Sequence, residues 1–121
     1  MLWVISLMAA IGLMASLLWM ITRDESSAWQ HQRARLLKEM KQQDGRHLII
    51  VGYSPNHSTH EEWVNNEADI DGAQVVWARP MDDHQKCKLV QYFKDRRIWS
   101  MELDGPPSIP KLTPYPTELC R

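Results

Sequence analysis

The sequence is poor in several features that announce a function. Its 14 basic residues are scattered among 15 acidic ones, and the formal net charge is −1 with neutral histidines. Nucleic acid is therefore not an expected partner, because that role needs a concentrated basic face. Two cysteines in 121 residues are too few for a disulfide scaffold or an all-thiolate zinc site. Cys87 and Cys120 keep two readings. They form one bridge if the domain lies outside the cytoplasm, or they remain a half-buried Cys87 and a loose Cys120, which is the preferred reading. There is no phosphate loop, no dinucleotide glycine fingerprint and no nucleophile elbow, so the common nucleotide and serine-hydrolase chemistries have no motif to stand on. The cofactor is left unassigned, and no internal repeat is present.

Charge is also missing from residues 1–22, a Leu-, Ile-, Met- and Trp-rich stretch as long as the roughly 20 residues that cross a bilayer as a helix. Trp3 and Trp19 sit near its ends, where interfacial aromatics belong. No Lys or Arg precedes it and no small-x-small site ends it, so a cleaved signal peptide fits poorly. The expectation is a retained single-pass anchor in a bacterial inner membrane, with the bilayer as a partner.

Beyond it, Arg23-Asp24-Glu25-Ser26-Ser27 supplies capping side chains. Trp29, Leu36, Leu37 and Met40 then recur at helical spacing, and Asp44-Gly45 closes the helix. Two apolar runs follow, His47–Tyr53 and 73–78, of the kind that suits strands covered on both faces. A third run, Arg97–Leu103, alternates more strongly and reads as nearer an edge. Between the second and third, residues 82–96 place aspartates first and basic residues last, matching a helix dipole. Leu89, Val90 and Phe93 form its buried stripe.

These elements predict an α/β fold. It has a transmembrane helix over 1–22, an amphipathic linker helix over 23–45, and a small domain over 46–104. That domain is a three-stranded parallel βαβαβ sandwich with right-handed crossovers. Strand order 2-1-3 is favoured, with 3-2-1 as the rival. Residues 105–121 hold Pro106, Pro107, Pro110, Pro114 and Pro116, of seven prolines in the chain, and are expected to be an extended tail outside the sheet.

Ligands of open α/β sheets bind beyond the carboxyl ends of the strands. That rule makes His57, His60, Arg79 and Asp82 the ligand-binding candidates. His57 and His60 with a glutamate also form a weak candidate metal set, but their spacing lacks the helical H-E-x-x-H arrangement, and no metal site is favoured. Ser58 with Glu61 and Thr59 with Glu62 each match a capping box, so the glutamates are expected to open a helix. The Asp69-x-Asp71 pair ahead of Gly72 reads first as a turn. No residue is assigned to catalysis.

The string Glu62-Trp63-Val64, Ala68-Asp69-Ile70-Asp71 and Val75-Val76-Trp77-Ala78-Arg79, with Tyr53-Ser54-Pro55, His57, His60, Tyr92-Phe93, Arg96 and Trp99, resembles the C-terminal extramembrane segment of large bacterial polytopic membrane proteins. These are grouped with lipid-linked-sugar glycosyltransferases of the mannosyltransferase-like kind. The resemblance spans residues 23–115. Gly52 stands where it leads one to expect a basic residue, and Asn65 where it leads one to expect tyrosine. It implies a membrane-anchored, non-catalytic module that supports or binds a polytopic glycosyltransferase-like partner, since the acids of sugar transfer belong to helices absent here. Two alternatives stand beside it: a ligand- or metal-binding or hydrolytic domain, and a truncated fragment without separate activity. The resemblance implies an extracytoplasmic domain, although Arg23, Arg33, Arg35, Lys38 and Lys41 follow the apolar stretch and argue for the cytoplasm; the outer side is preferred.

Overall fold

The structure is a computed structural model that describes Met8, residues 11–16, 25–104 and 109–120, with only the backbone described for residues 25–27. The chain divides into two compact units, Met1–Gln32 and Arg33–Arg121. In the first, residues 11–16 are helical and exposed, and the Ser16 hydroxyl donates back to the Gly12 carbonyl at 2.8 Å.

A long helix, α1 (Glu25–Gln42), begins in the first unit and continues into the second. Its last turn carries Lys41, which suits the negative end of the helix dipole. Gly45 then takes φ +91°, a left-handed conformation open to glycine at little cost, and turns the chain into the sheet.

No helix among the described residues is long and apolar enough to cross a membrane. The helix α1 carries Arg33, Arg35, Lys38 and Lys41 around its faces. The expected transmembrane helix is corrected accordingly. With it go the single-pass inner-membrane placement and the sidedness inferred from it. Residues 1–7, 9–10 and 17–22 of the proposed span lie outside the described residues.

The second unit is built on a four-stranded mixed sheet in the order β2-β1-β3-β4, formed by β1 (His47–Tyr53), β2 (Val75–Ala78), β3 (Arg97–Leu103) and β4 (Lys111–Pro114). The strand β1 pairs parallel with β2, His47 opposite Val75, and with β3, His47 opposite Arg97. It lies inside the sheet because Leu48, Ile49, Ile50 and Val51 are apolar on both faces and all buried. The three-stranded, all-parallel expectation is corrected by β4, which pairs antiparallel to β3 with Met101 opposite Leu112. Its place at the edge explains how a proline-rich segment joins a sheet. An edge strand needs hydrogen bonds on one side only, and Pro114 can lack an N–H there.

Each face of the sheet has its own cover. Leu48, Ile50, Val76 and Ile98 project to one side and pack with Val90 of α2 (Asp83–Tyr92) and with Phe93 that caps it, with Ala73, Tyr115 and Cys120 alongside. Ile49, Val51, Val75, Trp77, Met101 and Leu103 share the other side by register and are buried there. Trp63 reaches that side from the loop, its ring 6.4 Å from the Trp77 ring. Arg33 lies over Trp77 at 4.8 Å and donates to the carbonyls of Trp63 and Asn65 at 2.8 and 2.7 Å. The exposed edge of β2 is closed by one side chain. The Asn66 amide donates to the Trp77 carbonyl and accepts from the Trp77 N–H, both at 2.8 Å, as a neighbouring strand would.

Arg96 is 6% exposed and forms no salt bridge among the described residues. Its guanidinium instead donates to the carbonyls of Ala73 at 2.7 Å, Asp71 at 3.0 Å and Ile70 at 3.3 Å, with longer contacts to His47 and Gln74. It also stacks on Phe93 at 5.1 Å. A buried charge of this kind is tolerated because several backbone dipoles replace its water. The turn before it is held by Asp69, whose carboxylate accepts from the Gly72 N–H at 3.0 Å, while Asp71 accepts from the Tyr92 hydroxyl. Both aspartates of the D-x-D pair are therefore spent on structure.

Cys87 and Cys120 are joined in a disulfide across 33 positions of sequence, against the preferred unpaired reading. The bridge ties the terminal 3₁₀ turn (Thr117–Cys120) to α2. Spacing alone did not reveal this, because the fold brings the two Cα atoms to 5.0 Å.

Two outcomes follow for urea unfolding. Arg96→Met lowers stability by about 2–4 kcal/mol, because the carbonyls it serves lose their donors inside the protein; a loss within about 0.5 kcal/mol would remove the clamp role. Cys87→Ser/Cys120→Ser lowers it by up to about 3–4 kcal/mol, the chain-entropy value for a loop of this length, and dithiothreitol does the same to the unmodified chain.

Candidate functional site

A pocket of about 370 Å³ opens at the carboxyl ends of β1 and β2, lined by residues 53–55, 57–59, 61 and 62 and by Arg79. Strand alternation explains how its main groups meet. Ile49, Val51 and Tyr53 point to one face of β1, and Val75, Trp77 and Arg79 point to the same face in the parallel register. Tyr53 and Arg79 thus leave the sheet side by side, and the Arg79 guanidinium lies 4.6 Å from the centre of the Tyr53 ring. His57 stacks on the same ring, 4.3 Å between centres and 23° between planes.

The loop is two successive turns. The His57 N–H donates to the Ser54 carbonyl at 3.0 Å, and the Glu61 N–H donates to the Ser58 carbonyl at 3.1 Å. Pro55 sets the first turn, since its fixed φ suits the second turn position. No helix starts here: residues 54–73 are turns and irregular backbone. The expected capping roles of Ser58, Thr59, Glu61 and Glu62 are corrected for that reason. The Ser58 hydroxyl accepts from the His60 N–H at 3.4 Å, a local turn bond that competes with helix formation. Glu62 is drawn instead to Tyr53, because Trp63 is anchored in the core and fixes the chain beside it.

Tyr53 and Glu62 form the polar heart of the site. The Tyr53 hydroxyl donates to Glu62 Oε1 at 2.5 Å and accepts from the Trp63 N–H at 2.9 Å. The same Glu62 oxygen accepts from the Val64 N–H at 2.9 Å. Burial, then the bond to Glu62, pushes the Tyr53 phenol up to about 12. Partial burial pushes the Glu62 carboxyl upward, but the bonds from Tyr53 and Val64, with the charges of Arg79 and His57, outweigh it and hold the carboxyl below its ordinary value.

His57 Nε2 lies 2.7 Å from the Glu61 carbonyl, an acceptor only, so Nε2 carries the proton and donates. His57 Nδ1 is buried with no partner among the described residues, and the buried Ser54 hydroxyl is in the same position. Arg79 is exposed, and among the described residues its N–H groups meet no hydrogen-bond acceptor.

Of the four ligand candidates, the fold brings His57 and Arg79 together through Tyr53. It leaves His60 exposed and outside the pocket lining. Asp82 is the N-cap of α2, its carboxylate accepting from the Gln85 N–H at 2.8 Å. Among the described residues no three His, Cys, Asp or Glu side chains gather as a metal set. Tyr53 and Glu62 were not foreseen as a pair. Period-two alternation placed Tyr53 beside Arg79 in principle, but nothing local pointed to Glu62, because its neighbour in space depends on how Trp63 is seated. On the opposite face, the Glu102 carboxylate occupies the space over Gly52 that a side chain would take. A basic residue at position 52 would meet that carboxylate.

Comparison with models of known families, with curated proteins and with solved structures returns no match to this chain. The glycosyltransferase-like resemblance therefore gains no relative to rest on, and no helix among the described residues is long and apolar enough for the membrane placement.

The Tyr53–Glu62 pair fixes a pH response. Tyr53 is held protonated by the fold, so its contribution to stability is present below its ordinary value of 10.0 and is lost as pH rises through about 12. Glu62 is held ionised, so its contribution is present above its ordinary value and is lost as pH falls through the lowered one. In a phenolate absorbance titration one of the three tyrosines ionises only near pH 12, and Tyr53→Phe removes that step. An unchanged high-pH step in Tyr53→Phe would refute the pairing.

Proposed function

We propose that residues 33–121 form a non-catalytic binding module for a small oxyanionic molecule, a carboxylate or phosphate group held at Arg79 on the carboxyl edge of β1 and β2. The observation that carries this is the Arg79 guanidinium, laid on the Tyr53 ring with its donors turned to no protein acceptor among the described residues. A planar fork of donors is suited to oxyanions, and the stacked ring holds it in place. Hydroxyls of Ser54, Ser58 and Thr59 line the same pocket and add neutral donors. His57 Nδ1, buried with no partner among the described residues, adds a further polar atom for a ligand to meet.

Chemistry finds less support than binding. A general acid or base works best with a pKa near the operating pH. Tyr53 is displaced far above that range, Glu62 below its ordinary value, and each is engaged by the other. The tight pair instead gives the pocket a rigid wall, and rigidity lowers the ordering cost of binding.

Inorganic phosphate and acetate are the probes, followed by chemical-shift changes in the full chain. The expected result is saturable binding by at least one of them, weakened roughly tenfold by Arg79→Gln and partly retained by Arg79→Lys. Binding that survives Arg79→Gln undiminished, or no saturable binding of either anion, would sink the proposal.

A further inference from the structure

A second cavity, of about 620 Å³, lies on the other face of the molecule, between α2, β3 and the terminal 3₁₀ turn. Its size falls within the roughly 300–1,000 Å³ of small-molecule sites. Val90, Ile98 and Cys120 give it apolar walls continuous with the core, and Thr117 stands at the turn that closes one side. That turn is held in place by the Cys87–Cys120 bridge, so the wall is a built part of the fold. Two cations, Lys94 and Arg96, contribute to the lining, and no carboxylate side chain does among the described residues. The two cations differ. Arg96 is committed to the carbonyls of residues 70–74, so it supplies positive potential without a free donor fork. Lys94, just beyond the end of α2, makes no ion pair or hydrogen bond among the described residues and can turn its ammonium to a ligand at the rim.

We infer that this cavity binds a free amphipathic carboxylate, an alkyl chain with a single acid head: the chain against Val90, Ile98 and Cys120, the carboxylate on Lys94. Two physical requirements meet here. An apolar wall alone selects no head group, and a lone surface lysine selects no chain. The pairing of an apolar cavity with positive charge at its rim, and no carboxylate in its lining among the described residues, selects a molecule that has both ends. A dianionic or strongly hydrated ligand is disfavoured, because only one mobile cation is available and the walls offer few donors. This site is independent of the Arg79 pocket, which sits at the strand carboxyl edge and is lined by other residues.

Calorimetric titration of the full chain, disulfide intact, with sodium octanoate tests the assignment. Octanoate is expected to bind saturably, and hexanoate to bind roughly tenfold more weakly, since each methylene contributes about three- to fourfold in affinity. Lys94→Glu is expected to weaken octanoate roughly tenfold, Lys94→Arg to retain it, and 1-octanol to bind less well than octanoate. Lys94 is exposed and unpaired among the described residues, so these variants fold; Thr117→Trp, which fills the cavity from the turn, is a second route to the same loss. Inorganic phosphate, the probe for the Arg79 pocket, is expected not to displace octanoate. The inference is overturned by absence of saturable octanoate binding, by equal affinity for hexanoate, by undiminished binding in Lys94→Glu, or by displacement with phosphate.

Discussion

The buried guanidinium of Arg96 is the constraint on which the remaining structure depends. It follows α2, yet it holds the carbonyls of Ile70, Asp71 and Ala73 ahead of β2 and reaches that of His47 at the start of β1. One side chain therefore joins three segments far apart in sequence at the amino-terminal end of the parallel strands. The charge is stable there only while all of those carbonyls converge, since a buried cation without partners is costly. That requirement selects one arrangement of the loop over others of similar apolar content.

The opposite end of the sheet is organised by stacked aromatic and cationic groups. Trp63 and Trp77 fill the α1 side, Arg33 closes over Trp77 while binding two loop carbonyls, and Asn66 completes the edge of β2. These contacts seat the loop, and the seat puts Glu62 against Tyr53. The pocket with Arg79 and His57 is a consequence of that seating. Rigid walls at a strand carboxyl edge and one arginine without an acceptor among the described residues are what make this face fit for an anion. The other face carries a disulfide-pinned turn over an apolar cavity, so the two surfaces differ in the chemistry they offer.

The legible parts of the fold were those where a repeating pattern spans an element. The run His47–Tyr53 reads as an inner strand because its residues are apolar at odd and even positions alike. Asp82 and Asp83 read as the start of a helix, and the cap bond of Asp82 takes up the carboxylate that chain order also offers as a ligand group. The tail was misread because its prolines were weighed against sheet formation in general. An edge strand opposite Trp99 and Met101 is the special case that accepts them. The capping boxes at Ser58 and Thr59 misled for a related reason. Their spacing is a local signal, and the burial of Trp63 overrode it by fixing the following backbone.

By itself the sequence determined the α/β alternation, the inner place of the most apolar strand and the presence of His57 and Arg79 near one sheet edge, because hydrophobic period and chain order carry that information. It did not determine which groups touch. Arg96 on carbonyls, Tyr53 on Glu62, Asn66 on the β2 edge and Cys87 on Cys120 all join residues that no local pattern relates. Only the tertiary structure decided them, because each is a contact whose geometry depends on how two sheet faces, a helix and a loop close around the same buried side chains.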